Sequence, residues 1–401
     1  MFRKLGPARL ALAAFAARAA AIGPAARAAR AALDAIDAYG AVAVAAAAPP
    51  RNTSVVYGKA PAAKVSLGTM VAEAARWADE ATAARDPVRV RDRLGMKGCK
   101  HFAEYLDLQR LAAAFGDGRA RARADRAVRA AVAAEAYHAF LGRPAGSRRF
   151  REDSMSYLRA LWLAGELGVG GDLAAQWRAR AAAAVPALWR HLPSRGVDQR
   201  LNFAKLLRDL DLATEADLVA LERRTLRETH ISRRRPLAWF LAAADRPYDL
   251  THEVFALTRD GRGAFPAAGD PAATFAVDSR GALAAGDPEG PAPDHAYALA
   301  TAAALLKVCV RRDALDAACE LLANLGQLGA RAGAGALGEL YRQAQDYVAS
   351  RRNADGSFGE THDAVRVRAA KRNPAYDVEV GGTLHTTYVC LWALAQPELA
   401  A

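Results

Sequence analysis

Apolar segments of about fifteen residues alternate with short polar breaks along most of the chain. Alanine dominates these segments, and runs of β-branched residues are scarce. Alanine is the strongest helix former, whereas β-branched residues are typical of strands. The pattern therefore predicts an all-α fold.

Every second predicted helix begins with a polar cluster that leads into an aromatic or histidine ring. The rings that align in this way are Phe102, Tyr157, Phe203, His252, Tyr297 and Tyr388. Their separations are 45 to 55 residues, except for a last step of 91. A period of this length that covers two helices is typical of helical-hairpin repeats. The long last step leaves room for one more hairpin near residues 330–352, so we expect six or seven hairpins, arranged as an open superhelix or a closed ring.

Two parts of the chain differ in composition. Residues 1–95 contain an alanine- and arginine-rich helical pattern, a double proline and one amphipathic segment, and they are predicted to be a helical extension. Residues 96–401 carry the repeat and are predicted to be the main domain. Within it, residues 259–293 and 360–381 are rich in glycine, proline or polar residues, which predicts long loops.

The net charge is +12 and the pI is about 9.8. The arginines are scattered along predicted helices rather than interleaved with aromatic residues, and no nucleic-acid-binding motif is present. We therefore expect no nucleic-acid partner. The densest clusters are Arg148-Arg149-Phe150-Arg151 and Arg233-Arg234-Arg235. A solvated surface is the favoured interpretation of both clusters, and a patch for an anionic ligand is the alternative.

The cysteines indicate a cytoplasmic protein with reduced thiols. Cys99, Cys309, Cys319 and Cys390 share no metal-binding spacing, and a chain of 401 residues needs no disulfide framework. The apolar run near the N-terminus is interrupted by Arg18, so we interpret it as a structural helix rather than a signal peptide. No segment approaches the ~20 apolar residues of a membrane span.

Two motifs near the C-terminus carry a family resemblance. The first is the turn sequence Asp355-Gly356-Ser357-Phe358-Gly359, and the second is His385-Thr386-Thr387-Tyr388. Together they resemble the repeat unit of the terpenoid cyclases and the protein prenyltransferase β subunits, including bacterial relatives. The resemblance implies an α/α toroid, which is a ring of about six helical hairpins in two concentric layers, with extra N-terminal helices. The turn motif implies a structural tie between helices.

The catalytic motifs of those enzymes are missing here. The prenyltransferase histidine that His385 resembles binds zinc together with an Asp-x-Cys pair, and this chain has no such pair. Asp209-Leu210-Asp211 is the nearest string to a cyclase acid motif, and it lacks the further carboxylate. Neither prenyl transfer nor terpene cyclisation is expected.

The helix starts provide the candidate site. In a closed α/α ring the inner helices begin at one mouth of the cavity, so their polar residues would converge there, with His101, Asp153 and Asp198 around the rest of the rim. Imidazoles and carboxylates suit acid–base chemistry or a divalent metal ion, which is a candidate cofactor. The candidate catalytic residues are His385, His252 and Asp249; the candidate substrate-binding residues are Asp294, His295, Trp392 and Tyr388; the candidate metal ligands are His252, His295 and His385. The alternative is that the aspartates cap helices and the histidines are packing groups.

Two functions are compatible with these observations. The first is an enzyme, with no reaction assigned, that binds a small metabolite or a peptide in the ring's cavity. The second is a non-catalytic helical-repeat module that binds a protein or peptide partner. Convergence of the three histidines favours the enzyme, whereas histidines that lie apart or point outward favour the binding module.

Overall fold

The structure is a computed structural model, described for residues 65–83, 98–263, 265, 293–333, 335–359 and 378–399. Within these ranges the chain forms fourteen α-helices and two short 3-10 helices, Ala139–Gly142 and Leu192–Ser194, and no strand. One isolated β-bridge joins Arg352 and Phe358. The predicted all-α class is confirmed. No helix in the described ranges has the length and apolarity that a membrane span requires.

The α-helices follow one another with mostly short connections. They are α1 Leu67–Ala83, α2 Gly98–Ala114, α3 Ala120–Ala133, α4 Glu135–His138, α5 Arg148–Leu167, α6 Asp172–His191, α7 Val197–Asp209, α8 Glu215–Leu226, α9 Leu237–Leu241, α10 Arg246–Leu257, α11 His295–Arg311, α12 Leu315–Gln327, α13 Ala336–Ala349 and α14 Val378–Leu399. Residues 1–64, 84–97, 266–292 and 360–377 lie outside the described ranges, and they include most of the predicted extension and large parts of both predicted loops.

Local chemistry defines several helix ends. The hydroxyl of Ser147 accepts a hydrogen bond from the Phe150 N–H at 3.3 Å and caps the start of α5. The same helix ends at Gly168, whose φ of 66° is the left-handed conformation that glycine adopts at low cost. Thr214 caps α8 through the N–H of Asp217. These caps satisfy backbone groups that would otherwise lack partners at the helix termini.

Six helices contact one another in a series that returns to its first member. Helix α2 packs against α5, α5 against α7, α7 against α10, α10 against α12, α12 against α14, and α14 against α2. Four further helices each contact two neighbouring members of this series: α1 contacts α2 and α14, α3 contacts α2 and α5, α11 contacts α10 and α12, and α13 contacts α12 and α14. Helix α6 contacts α5, and α8 contacts α7. Helix α1, from the predicted N-terminal extension, therefore packs directly on the main domain.

Two of the rings that mark the repeat, Phe102 and Tyr157, belong to an aromatic cluster in the core. Phe102, Tyr137, Tyr157 and Trp177 are almost fully buried, with ring centroids 5.3 to 6.4 Å apart. They bring α2, α4, α5 and α6 together. Burial of large aromatic side chains contributes strongly to the stability of a core.

The turn at residues 353–359 joins three helices. The carboxylate of Asp355 accepts hydrogen bonds from the backbone N–H and the hydroxyl of Ser357, at 2.9 and 2.6 Å. The hydroxyl of Thr387 on α14 accepts from the Phe358 N–H at 2.8 Å and lies 3.1 Å from the Phe358 carbonyl oxygen. Arg352 pairs with Glu73 of α1. The turn thus connects the end of α13 with both α14 and α1.

The helix starts correct one sequence expectation. His385 was expected at the beginning of the last helix, but α14 begins at Val378, so His385 lies two turns inside it. Gly381, which ends the predicted loop 360–381, and Gly382 are helical residues. Glycine weakens an isolated helix by about 1 kcal/mol per residue, and tertiary packing of the rest of α14 overrides that preference.

Candidate metal and ligand site

The six helices of the contact series surround a cavity of about 490 Å³. A cavity of this size suits a small-molecule ligand. Each of the six helices contributes at least one side chain to the lining. The charged and imidazole groups among the lining residues are Lys100, Glu104, Arg148, Arg151, Glu152, Arg159, Arg195, Asp198, Lys205, His252, Asp260, Glu320 and His385.

His385 is surrounded by carboxylates from two other helices. Its Nδ1–H donates to Oε1 of Glu104 on α2 at 2.7 Å. Its Nε2 lies 3.5 Å from Oδ1 of Asp316 and 3.8 Å from Oε1 of Glu320, both on α12. These two distances exceed those of normal hydrogen bonds. The Nε2 atom therefore faces two carboxylate oxygens without a close bond to either.

The two carboxylates of α12 are held from several sides. Asp316 and Glu320 are four residues apart and so lie on one face of the helix. The Tyr248 hydroxyl donates to Oδ2 of Asp316 at 2.9 Å, and the Thr386 hydroxyl donates to Oδ1 at 3.3 Å. The Thr251 hydroxyl donates to Oε2 of Glu320. These bonds fix the oxygens that face His385.

Glu104 is the carboxylate that orients His385. Its side chain is only 5% exposed, and it also accepts from Nδ1 of His101 at 3.2 Å and pairs with Lys100 at 3.4 Å. Burial acts against the charged form of Glu104, but the positive charges of Lys100 and His385 outweigh it and hold its pKa well below the usual range. Glu104 is therefore a carboxylate at neutral pH.

His252 brings a second imidazole to the same group of carboxylates. Its Nε2 lies 3.7 Å from Oε2 of Glu320, and its Nδ1 lies 3.5 Å from Oδ2 of Asp198. Its side chain is 44% exposed and lines the cavity. Glu320 therefore lies between the two histidines.

Both histidines are protonated at neutral pH when no ion is bound. Burial acts to lower the pKa of His385, and Lys100 acts in the same direction. The carboxylates of Glu104 and Asp316 outweigh both and raise the pKa to about 9. For His252, burial is likewise outweighed by Glu320 and Asp198, which raise the pKa to about 10.

Asp316, Glu320 and His385 have the composition and spacing of a metal site. One potential ligand atom from each lies within 4.8 Å of those of the other two. Ligands bound tetrahedrally at ~2.0–2.1 Å lie roughly 3.3 Å apart, which is close to the 3.5 and 3.8 Å separations around the His385 Nε2. The Glu104 contact with Nδ1 is the carboxylate–histidine arrangement typical of metal-bound imidazoles. The residues therefore fit Zn²⁺ or Fe²⁺.

Other sequence candidates lie elsewhere. The Nε2–H of His295 donates to the Leu328 carbonyl at 3.0 Å, its ring contacts Phe265, and burial lowers its pKa. The carboxylate of Asp294 caps α11 through the Tyr297 N–H at 3.0 Å and pairs with Arg234 at 2.6 Å. Neither residue lines the cavity. His295 therefore does not converge with His252 and His385.

Asp249, the third candidate catalytic residue, lies in the first turn of α10 and is not among the residues that line the cavity. Burial raises its pKa, and the nearby charges of His230 and Asp198 act in opposite directions. Asp249 therefore lies near His230 and Asp198 but does not line the cavity.

Tyr388 and Trp392 line the cavity one and two turns after His385. Their rings are stacked, with centroids 5.8 Å apart, and Phe255 lies 4.8 Å from Trp392. Arg159 donates to the Tyr388 hydroxyl at 3.1 Å and pairs with Asp107 at 2.7 Å. This side of the cavity is therefore an apolar aromatic surface that carries one hydroxyl, that of Tyr388, held in place by Arg159.

Sequence reasoning missed Glu104, Asp316 and Glu320. The sequence nevertheless contained a signal. Each of these carboxylates is flanked by mostly apolar residues of its own helix, and Asp316 and Glu320 have the i, i+4 spacing that places two side chains on one helix face. Charged residues inside such helices are rarely buried unless they are paired or bind an ion. The search for motifs at helix starts passed over them.

Comparison of the chain with protein-family models, with curated proteins and with solved structures found no match. The geometry of the cavity is therefore the basis for the function proposed below.

Proposed function

We propose that the chain is an α/α toroid whose cavity holds a divalent metal ion and acts as the active site of an enzyme for a small-molecule substrate. The closed series of contacts from α2 to α14 supports the toroid, because six helices around a common cavity are what an inner ring would give. The helices that lie beside neighbouring members of this series would form the outer layer. The resemblance of the turn motif and of the His385 motif to toroid enzymes points the same way.

The observation that carries the metal proposal is the environment of His385. Its Nδ1–H is bound by Glu104, and its Nε2 faces Asp316 and Glu320 at distances that suit two ligands of one ion. A divalent ion in this position would replace the proton that Nε2 otherwise carries. It would also offset the repulsion between the two carboxylates of α12. His252, at 3.7 Å from Glu320, is placed to bind the ion or a group bound to it.

Such an ion would supply Lewis-acid chemistry. With three protein ligands, it keeps a position for water or for an oxygen of the substrate, as catalytic sites do. It can lower the pKa of a bound water or polarise a carbonyl or phosphoryl group. The chain's own residues would orient the substrate: Tyr388 and Trp392 through their rings, and Arg159 through its charge.

Elemental analysis of the purified full chain tests the proposal. We expect about one Zn²⁺ or Fe²⁺ ion per chain, or stoichiometric uptake on titration of the metal-free protein. The variants His385→Ala and Glu320→Gln should lose at least ~10-fold in metal affinity, whereas His295→Ala, a histidine outside the cavity, should retain it.

Two outcomes would contradict the proposal. One is a metal-free protein that takes up no ion on titration. The other is an equal metal affinity in the two variants His385→Ala and His295→Ala. A chain that binds ligands in the cavity without a metal would instead favour the non-catalytic binding module.

A further inference from the structure

Six lysine and arginine side chains line the cavity. Four of them have carboxylate partners, as Lys100 has in Glu104 at 3.4 Å and Arg159 has in Asp107 at 2.7 Å. Arg151 and Arg195 form no ion pair with any residue in the ranges that the structure describes. Their positive charges are the ones in the lining that the protein leaves without an acid partner.

The Arg195 guanidinium is held in place by neutral groups. It donates to Oε1 of Gln199 at 3.1 Å, to Oγ of Ser154 at 3.0 Å and to the backbone carbonyl of Arg151. It also lies over the Phe203 ring, 5.4 Å from the centroid. These contacts fix its orientation without neutralising its charge. A guanidinium held in this way is ready to bind an oxyanion through its remaining donors.

Arg151 and Arg195 are close enough to repel each other. Burial and the positive charge of Arg151 lower the pKa of Arg195 to about 10, whereas Asp198 and Glu152 act in the opposite direction. Arg195 is partly buried and Arg151 is exposed at the edge of the cavity. Two like charges that lie close together raise the free energy of the empty site. An anion between them would remove that repulsion.

We propose that Arg151 and Arg195 form an anion-binding subsite that holds the phosphate group of a small phosphorylated substrate. This inference rests on the proposed function, since the remainder of the substrate would extend through the same cavity toward the metal site. Planar guanidinium groups match phosphate oxygens, and in Arg195 the Nε–H and one Nη1–H remain without a protein acceptor. A phosphate monoester, with close to two negative charges at neutral pH, balances both arginines, whereas a single carboxylate balances one.

Neutral polar groups complete the subsite. Ser156 on α5 and Asn202 on α7 also line the cavity, on the helices that hold the two arginines or follow them. Hydroxyl and amide groups of this kind donate hydrogen bonds to phosphate oxygens without adding charge. The proposed subsite thus lies on α5, on the segment that precedes α7 and on α7 itself, whereas the candidate metal ligands lie on α12 and α14.

The test is a calorimetric titration of the metal-free full chain with inorganic phosphate at constant ionic strength. Metal-free protein is used so that phosphate cannot bind to the ion. We expect Arg151→Gln and Arg195→Gln each to weaken phosphate binding about 10-fold or more. Arg195→Lys should weaken it less, because the charge remains while the fork is lost. Arg121→Gln removes an equal charge from the exposed face of α3 and should leave binding unchanged.

Other results would overturn the inference. Phosphate binding that falls in His252→Ala and not in the arginine variants would place the anion at the histidines. Succinate that binds as tightly as phosphate, with the same dependence on both arginines, would identify a dicarboxylate subsite instead. Metal affinity measured on the same variants separates the two proposals. If the arginine variants bind the metal ion normally but lose phosphate affinity, both proposals stand. If neither the wild-type chain nor any variant binds a metal ion, and phosphate affinity still depends on the two arginines, only the metal proposal fails.

Discussion

His385 and Glu104 are 281 residues apart in the sequence, and their side chains share a hydrogen bond of 2.7 Å. The bond joins α14 to α2, which are the last and first helices of the contact series. It also orients the imidazole whose other nitrogen faces Asp316 and Glu320. One pair of residues therefore contributes both to the closure of the helix series and to the geometry of the candidate metal site.

Replacing Glu104 by glutamine tests the electrostatic part of this relationship. The amide keeps nearly the same shape but removes the negative charge, so the pKa of His385 should fall from about 9 toward its ordinary value. Titration of the imidazole signals by NMR in the metal-free protein measures the change. The pKa of His295, which lies outside the cavity, should not move. An unchanged pKa for His385 would show that Glu104 does not control its charge.

The stability of the metal-free protein should depend on pH through His385. Its folded-state pKa of about 9 lies above the unfolded value of ~6.5, so protonation of His385 stabilises the fold. That contribution is fully present below the unfolded pKa and is lost as the pH rises through about 9. We expect the free energy of unfolding to fall by roughly 1–3 kcal/mol across this range because of His385.

Urea denaturation at pH 6 and pH 10 measures this dependence, with His385→Ala as the comparison. The variant should lose a large part of the pH dependence seen in the wild-type chain. His252 contributes in the same direction, since its folded-state pKa is about 10, so some dependence should remain. If the free energy of unfolding changed equally between pH 6 and pH 10 in the wild-type chain and in His385→Ala, the pH dependence could not be assigned to His385.

Metal affinity should rise with pH. The ion competes with the proton on Nε2 of His385, so binding releases that proton below its pKa of about 9. Between pH 7 and pH 9 we expect roughly a tenfold gain in affinity per pH unit for each proton displaced. Competition with a chromophoric chelator measures the affinity. An affinity that does not change with pH would be inconsistent with His385 as a ligand.

Thr387 should matter for stability rather than for binding. Its hydroxyl is buried and bonds to the backbone of Phe358, so Thr387→Val leaves a buried N–H without a partner. The expected cost is about 1–3 kcal/mol. Thr387→Ser, which keeps the hydroxyl, should lose less. Thermal or chemical denaturation measures both, and a loss in Thr387→Ser as large as that in Thr387→Val would contradict a dominant role of the hydroxyl.

Helix content and the structural turn were accessible from the sequence because both depend on local preferences. Alanine-rich apolar periodicity predicts helices, and Asp355, Gly356 and Ser357 suit a tight turn whatever surrounds them. The hairpin period alone was compatible with an open superhelix or a closed ring. A closed ring, which the family resemblance implied, led us to expect His252, His295 and His385 at one cavity, and only His252 and His385 line it.

The carboxylates of the candidate metal site could not be identified from the polar clusters at helix starts. Asp294 and His295 showed the polar pattern of the other helix starts, yet they begin α11, which is not a member of the contact series. Helix α12, which is a member, begins at Leu315 after an alanine, and Asp316 in its first turn is not followed by an aromatic or histidine ring. Helix caps stabilise any helix end, so they do not reveal which helix faces the cavity.

The hydrogen bond between His385 and Glu104 also has a consequence for the order of events during synthesis. Glu104 emerges from the ribosome long before His385, and the helices between them can pack as they appear. The cavity cannot acquire its complete lining until α14 has been released as well. If the proposed metal site exists, an ion supplied to the nascent chain would meet His252, Asp316 and Glu320 before His385, so the full set of ligands would come together only after α14 has been synthesised.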